Sequence, residues 1–298
     1  MDARLRSVCD LMVPMMRENA GLHEYDGVIQ DLSPDGVRAG LARLHGPDTP
    51  SDHDEAHLQA FEDALRVSLG ELEQHRTNPL VHLDNLDLSV YDREYAPAAE
   101  RKEAGRRHLA AWPDAVDMAL ASLDRVPAAT AAALVAAVRG LASGLDDGDP
   151  VAAAGLAAQG RLVAHLEKAA TDGDPDPAIG EEALRGLLSS GEAIDVDLAD
   201  LARQAEQDRD RLRAELADAC GHIAPGKPVG EVIADLLADH PQADGVIDEA
   251  RSQVAEAVAF THERDLVPGL DGECLVGPTP PARRWAFAMM SWAGPHEP

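Results

Sequence analysis

Residues 51–72 read SDHDEAHLQAFEDALRVSLGEL, and the spacing of their apolar side chains predicts an amphipathic α-helix. Five apolar residues follow one another at intervals of three, four, four and three, which places them on one stripe of a helix. Ser51 or Asp52 is suited to cap the first turn, because a short oxygen-bearing side chain accepts a hydrogen bond from an unpaired backbone N–H. The stripe comprises Leu58, Phe61, Leu65, Leu69 and Leu72.

The same helical periodicity recurs along most of the chain. A charged helix is predicted from about residue 195 to 219, ended by Gly221, and another from about 244 to 263. The fold class we predict is therefore mainly α, a multi-helix, bundle-like array with a short β segment near the C-terminus. Further helices are predicted near residues 2–20, 33–44, 97–111, 113–123, 127–143, 151–170, 179–189 and 228–239.

Turn-forming runs and changes of composition divide this array into three predicted regions. The first is an N-terminal helical region, 1–172, which ends in an acidic run rich in Gly and Pro. The second is a helical region, 173–263. The third, 264–298, is predicted to hold short strands that form the start of an incomplete α+β catalytic-type domain. Its strands are expected at 273–277 and within the apolar run 283–292.

Composition excludes several classes of function. The chain has 54 acidic and 26 basic side chains, a net charge of −28, which disfavours binding to nucleic acid or to an anionic membrane surface. No run of about 20 apolar residues predicts a membrane span. Cys9, Cys220 and Cys274 are far apart and form no CxxC pair, so neither a disulfide framework nor a cysteine zinc site is predicted. We expect a cytoplasmic protein.

Histidine motifs offer one incomplete metal site. His53 and His57 lie at i and i+4, the spacing of a helical zinc pair, but Glu55 stands midway between them, out of place for an HExxH motif. We therefore favour a solvated first turn of the helix over a metal site, and we predict no metal ligands. His23-Glu24 and His262-Glu263 lack a second histidine at the required position, so we expect surface residues there. No phosphate loop or G-x-S-x-G nucleophile elbow is present.

The last 20 residues concentrate large apolar side chains in a chain that has only 3% aromatic residues. We predict that four of them contact a partner or a missing domain rather than water. Arg283 and Arg284 precede this segment and could pair with a substrate carboxylate; a charged cap at the start of a strand is the alternative. The predicted contact residues are Trp285, Phe287, Met289 and Trp292.

Two stretches resemble a known family. The first runs from His75-Arg76-Thr77-Asn78-Pro79 through Tyr91 to Trp112-Pro113. The second runs from the helix 244–263 through Cys274-Leu275-Val276-Gly277-Pro278-Thr279-Pro280 to Ala293-Gly294-Pro295. They look like the N-terminal half of the bacterial domain-of-unknown-function family 885. The resemblance implies the thermolysin-like clan of zinc metallopeptidases, whose HExxH motif would follow the final strand of this chain.

This resemblance implies a function shared with another polypeptide. The chain would form the helical wall of a substrate cleft for a peptide or amide. The catalytic HExxH, and with it the zinc expected in the complete family fold, would come from a partner chain or a missing C-terminal half. We expect no cofactor and no activity in the chain alone. A hetero-oligomer, or self-association through the C-terminal strand, would follow. A non-catalytic helical binding or scaffold protein, and a metal enzyme using His53 and His57, are the alternatives.

Overall fold

A computed structural model describes residues 2–47, 49, 51–267, 269, 272–285, 290–295 and 297. Its contacts divide the chain into two compact units. Unit 1 comprises Met1–Val196 and Thr279–Pro298, and unit 2 comprises Asp197–Pro278. The division into regions 1–172, 173–263 and 264–298 stays a prediction.

Most helices of unit 1 begin at a short polar side chain that caps them or at a proline. Ser51 and Asn78 each accept a hydrogen bond from a first-turn backbone N–H, as their capping role requires. The stretch that follows the helix beginning at Asp52 is π-helical, Arg66–Glu71. The helices are α1 Ala3–Asp10, α2 Val13–Glu18, α3 Pro34–Leu41, α4 Asp52–Leu65, α5 Gln74–Thr77, α6 Pro79–Leu86, α7 Ala98–Ala110, α8 Trp112–Ser122, α9 Ala128–Gly140, α10 Pro150–Asp172 and α11 Glu181–Ser190.

The main core of unit 1 lies where α8, α9 and α10 pack together. Trp112 and Val116 of α8 meet Val138 of α9 and Leu162 of α10, all of them buried. Close packing depends on a glycine, because a Cβ added at Gly155 would lie 2.7 Å from a methyl group of Leu109. The small side chains of α9 and α10 thus allow neighbouring helices of unit 1 to pack closely.

A second cluster of unit 1 forms around the predicted stripe of α4. Leu58, Leu65 and Leu69 are buried there, whereas Phe61 is 46% exposed. Arg4 of α1 crosses to this cluster and pairs with Glu62, at 2.7 Å between Nε and Oε1. The apolar periodicity therefore predicted three core residues correctly, but it also included Phe61, whose ring is exposed.

Unit 2 contains α12 Leu198–Ile223, α13 Val229–Ala238 and α14 Val246–Glu263. Asp197 caps α12 by accepting hydrogen bonds from two backbone N–H groups. Among the described residues of this unit, Cys220 and Val232 are the buried apolar side chains. Large apolar side chains stay in contact with solvent instead: Leu201, Leu212, Leu216, Ile223, Leu236, Leu237, Val246 and Phe260.

The predicted β segment is wrong. Helix accounts for 66% of the chain, and no strand occurs among the residues that the structure describes. Residues 273–280 have no regular secondary structure, and Pro281–Arg283 forms a 3₁₀ turn. A strand needs a neighbour to bond its backbone, and the prolines at 278, 280 and 281 cannot donate to one. The start of an α+β domain is therefore absent from the described part of 264–298.

Candidate functional site

The residues predicted to contact a partner lie in the segment that returns to unit 1. Trp285 and Trp292 are exposed over 42% and 56% of their surfaces, and Arg284 is also exposed. Phe287 and Met289 lie outside the described residues. The contact role of all these side chains stays a prediction.

Arg283, by contrast, is fastened to unit 1. Its guanidinium lies 2.6 Å from Glu18 of α2, between Nη1 and Oε1, and also pairs with the buried Asp87. The carboxylates of Glu18 and Asp87 thus occupy the guanidinium N–H groups that a substrate carboxylate would need. The contact explains instead how the segment after Thr279 is held against α2 and α6.

Asp84 stands close to this cluster and has an unusual titration. Desolvation of its carboxylate by the surrounding protein raises the pKa of Asp84 to about 6, and the positive charge of Arg283 opposes this increase. More than a third of the residue remains exposed to solvent. Asp87 and Glu18 add to the increase through their negative charges. A carboxyl group that titrates near neutral pH makes this cluster sensitive to pH.

Three histidines that could have been catalytic are structural. The Nε2 of His108 bonds to the carbonyl of Asn85 at 2.9 Å, and its Nδ1 lies 3.1 Å from the hydroxyl of Tyr91. His82 bonds through Nε2 to the carbonyl of His75 at 2.8 Å. Burial lowers the pKa of His82 to about 4 and that of His108 to about 3, and it also lowers the pKa of His75. These imidazoles stay neutral at physiological pH.

His53 and His57, the pair considered as an alternative metal site, do not have the ligands of a complete site. The rings of His53 and His57 are 4.5 Å apart at the exposed start of α4, with Asp54 3.5 Å from His53. No group of three histidine, cysteine, aspartate or glutamate side chains suited to a metal occurs within the described ranges. The residues described here therefore do not fit the zinc that the family resemblance implied.

His23 lies at the centre of a polar cluster that the sequence did not reveal. It begins a short 3₁₀ helix, His23–Tyr25, and its two ring nitrogens face carboxylates on opposite sides. Nδ1 is 3.3 Å from Oδ1 of Asp26, and Nε2 is 3.1 Å from Oε1 of Glu297. The other carboxylate oxygen of Glu297 pairs with Arg93.

Tyr95 completes this cluster. Its ring stacks on the imidazole of His23, with centroids 3.6 Å apart and planes 5° from parallel. Its hydroxyl donates to Oδ2 of Asp26 at 2.7 Å. Burial and that carboxylate together raise the pKa of Tyr95. The phenol therefore stays protonated and holds Asp26 in place.

A cavity of about 530 Å³ opens beside His23 and Tyr95. Its volume is within the range of small-molecule sites. One wall is a face of α7, where small side chains leave room and charged ones project. The lining residues are His23, Asp26, Tyr95, Ala96, Ala99, Glu100, Glu103, Ala104 and Arg107.

Sequence reasoning missed this cluster because its members are remote in the chain. His23 was expected at the surface. Glu297 follows Asp26 by 271 positions. The one local signal is the spacing of His23 and Asp26, which would not by itself have distinguished the pair from a surface turn.

The chain belongs to the family described as bacterial protein of unknown function (DUF885), whose model matches residues 14–297. Family membership is thus confirmed, and the match extends over nearly the whole chain. The expectation that the chain is an N-terminal half of the family is not confirmed. No curated protein matches the sequence.

The solved structures that resemble this fold include one bacterial protein. It is a candidate lipoprotein of unknown function from Shewanella oneidensis, with a TM-score of 0.62 and 18% sequence identity. The similarity covers 99% of this chain and 61% of that chain, so our chain spans less than two-thirds of its neighbour's length. At this identity, the likeness concerns the fold. No helix of the described residues is long and apolar enough to cross a membrane.

Proposed function

We propose that this chain is the helical, non-catalytic part of a metallopeptidase-like protein. It forms a wall of the substrate cleft, and a peptide or amide is the substrate. The HExxH residues and their zinc come from a partner chain or from further sequence. In such enzymes the metal activates a water molecule for attack on a carbonyl carbon.

The observation that carries this proposal is the apolar surface of unit 2. Leu212 of α12 is 53% exposed and Leu237 of α13 is 72% exposed. The residues of α12 from Leu201 to Ala219 are exposed on every side of the helix. Each buried leucine side chain contributes about 2 kcal/mol to folding or association, so an uncovered set of this size favours a covering polypeptide.

Two further findings support the same proposal. The structural neighbour extends well beyond the length that this chain matches, which leaves room for a covering region. The described residues also lack a three-ligand metal group, so a zinc centre would need ligands from elsewhere. The exposed rings of Trp285 and Trp292 offer additional contact surface.

The test is capture of the catalytic part in the native host. The tagged chain should retain a polypeptide that contains an HExxH helix, and the complex should hydrolyse a peptide and contain about one zinc per chain. Replacing Trp285 and Trp292 together by serine should reduce capture at least tenfold. Phe61→Ser is the matched control, because Phe61 is an aromatic residue of similar exposure, 46%, that belongs to α4 rather than to the segment after Thr279.

Two results would contradict the proposal. One is a captured polypeptide without an HExxH motif, which would favour the alternative of a non-catalytic binding or scaffold protein. The cavity beside His23 is the observation that favours that alternative. The other is capture that is reduced as strongly by Phe61→Ser as by the double tryptophan variant.

A further inference from the structure

Glu297 occupies a recess of unit 1 in the way that a bound ligand would. Its side chain is only 3% exposed. One carboxylate oxygen pairs with Arg93 and accepts a hydrogen bond from the backbone of Gly294 at 2.7 Å, while the other faces His23. Gly21 has no side chain to obstruct this approach, since a Cβ added there would lie 2.9 Å from Cγ of Glu297.

The groups that receive Glu297 are positioned by other residues. Arg93 donates through Nη1 to the carbonyl of Glu18 at 2.6 Å, which orients its guanidinium. His23 is fixed by its contact with Asp26 and by stacking on Tyr95. Because these contacts do not involve Glu297, Arg93 and His23 form a pre-organised receptor for a carboxylate.

Glu297 fills this receptor imperfectly. Its Oε1 and the Nε2 of His23 are 3.1 Å apart, yet neither buried atom makes a well-aligned hydrogen bond among the described residues. Buried polar atoms without such a bond destabilise the arrangement that leaves them unpaired. A carboxylate that aligned with both Arg93 and His23 would remove that destabilisation, so Glu297 is a displaceable occupant.

The neighbouring cavity indicates what the rest of a ligand would be. His23 contacts Glu297 and also lines the cavity of about 530 Å³. Three carboxylates, those of Asp26, Glu100 and Glu103, line the cavity against one guanidinium, that of Arg107. This excess of negative charge favours an ammonium group.

We propose that Arg93 and His23 bind the carboxylate of a small zwitterion, such as a short peptide, in competition with Glu297, and that the acidic cavity receives its ammonium group. Glu297 then acts as an internal competitor that limits access to the site. All the residues involved belong to this chain, so the site does not depend on a partner that carries HExxH.

Triglycine is a suitable probe, because three extended residues span about 10 Å between ammonium and carboxylate. If Glu297 fills the receptor about nine-tenths of the time, it weakens the apparent affinity about tenfold. By calorimetric titration of the full chain, Glu297→Gln should therefore bind triglycine about tenfold more tightly than the wild type. Adding Arg93→Gln to that variant should remove the gain.

Controls separate this interpretation from a general effect of charge. Glu94→Gln removes an exposed carboxylate next to Arg93 in sequence and should leave the affinity unchanged. N-acetyl-triglycine, which lacks the ammonium group, should bind Glu297→Gln at least about fivefold more weakly than triglycine. Equal affinities of the wild type and Glu297→Gln, both folded by circular dichroism, would overturn the proposal. So would unchanged binding after Arg93→Gln.

Discussion

Neutral, buried histidines should make unit 1 sensitive to acid. His82 and His108 have pKa values of about 4 and about 3, against an ordinary value of 6.5. At pH values between the folded-state pKa and 6.5, the unfolded chain binds protons at these histidines that the folded chain excludes. The stability that these residues contribute is therefore complete above about pH 6.5 and is lost as the pH falls towards the folded-state values.

The size of the effect follows from the shifts. At pH 5, a histidine whose pKa falls from 6.5 to about 4 or below costs about 2 kcal/mol relative to pH 8. His82 and His108 together should therefore lower the free energy of unfolding by about 4 kcal/mol between pH 8 and pH 5. The raised pKa of Asp84 acts in the opposite direction, since protonation near pH 6 relieves an unfavourable charge.

His108→Gln isolates one of the two contributions. Urea unfolding at pH 8 and pH 5 should show that the variant loses about 2 kcal/mol less on acidification than the wild type. Asp84 is present in both proteins, so its effect cancels. The fluorescence of the buried Trp112 reports on the same unit. Equal pH dependence in the two proteins would refute the assignment of a neutral, buried imidazole at position 108.

Three other perturbations test particular contacts. Gly155→Val should lower the free energy of unfolding by about 1–3 kcal/mol, because the new side chain would collide with Leu109. Gly160→Ala, in open space on the same helix, should raise the free energy of unfolding by up to about 1 kcal/mol. Equal urea midpoints for the two variants would contradict this packing. Asp84→Asn should stabilise the protein more at pH 8 than at pH 4, because the raised pKa makes the ionised carboxylate unfavourable; the reverse order would contradict the assignment. Arg283→Gln should speed limited proteolysis of residues 279–285, because the variant loses the ion pairs with Glu18 and Asp87 that hold this segment. An unchanged rate of proteolysis would show that the segment is held by other contacts.

The helices could be predicted from sequence because helical periodicity is a local property. The predicted helices 195–219 and 244–263 correspond to α12 Leu198–Ile223 and α14 Val246–Glu263. Helix α12 begins and ends a few residues later than predicted, and at its C-terminal end Gly221 continues the helix instead of ending it. A local pattern fixes which residues share a face, and this information is enough to identify an amphipathic helix.

The β segment and the His23 cluster depend on contacts between remote residues. An apolar run such as 273–277 predicts a strand only if another strand pairs with it, and periodicity carries no information about that partner. Likewise, Glu297 and His23 meet because of the path of the whole chain. Phe61 illustrates the same limit, since its place on the stripe of α4 did not determine whether another element covers it.

Metal content tests the proposed function most directly, because the proposal places the catalytic zinc outside this chain. The isolated full chain, incubated with equimolar zinc and dialysed, should retain less than about one zinc per ten molecules and should not hydrolyse peptides. The complex with an HExxH-containing polypeptide should retain about one zinc per chain and be active. One tightly bound zinc in the isolated chain, lost together with peptide hydrolysis when His53 and His57 are replaced by alanine, would contradict the account.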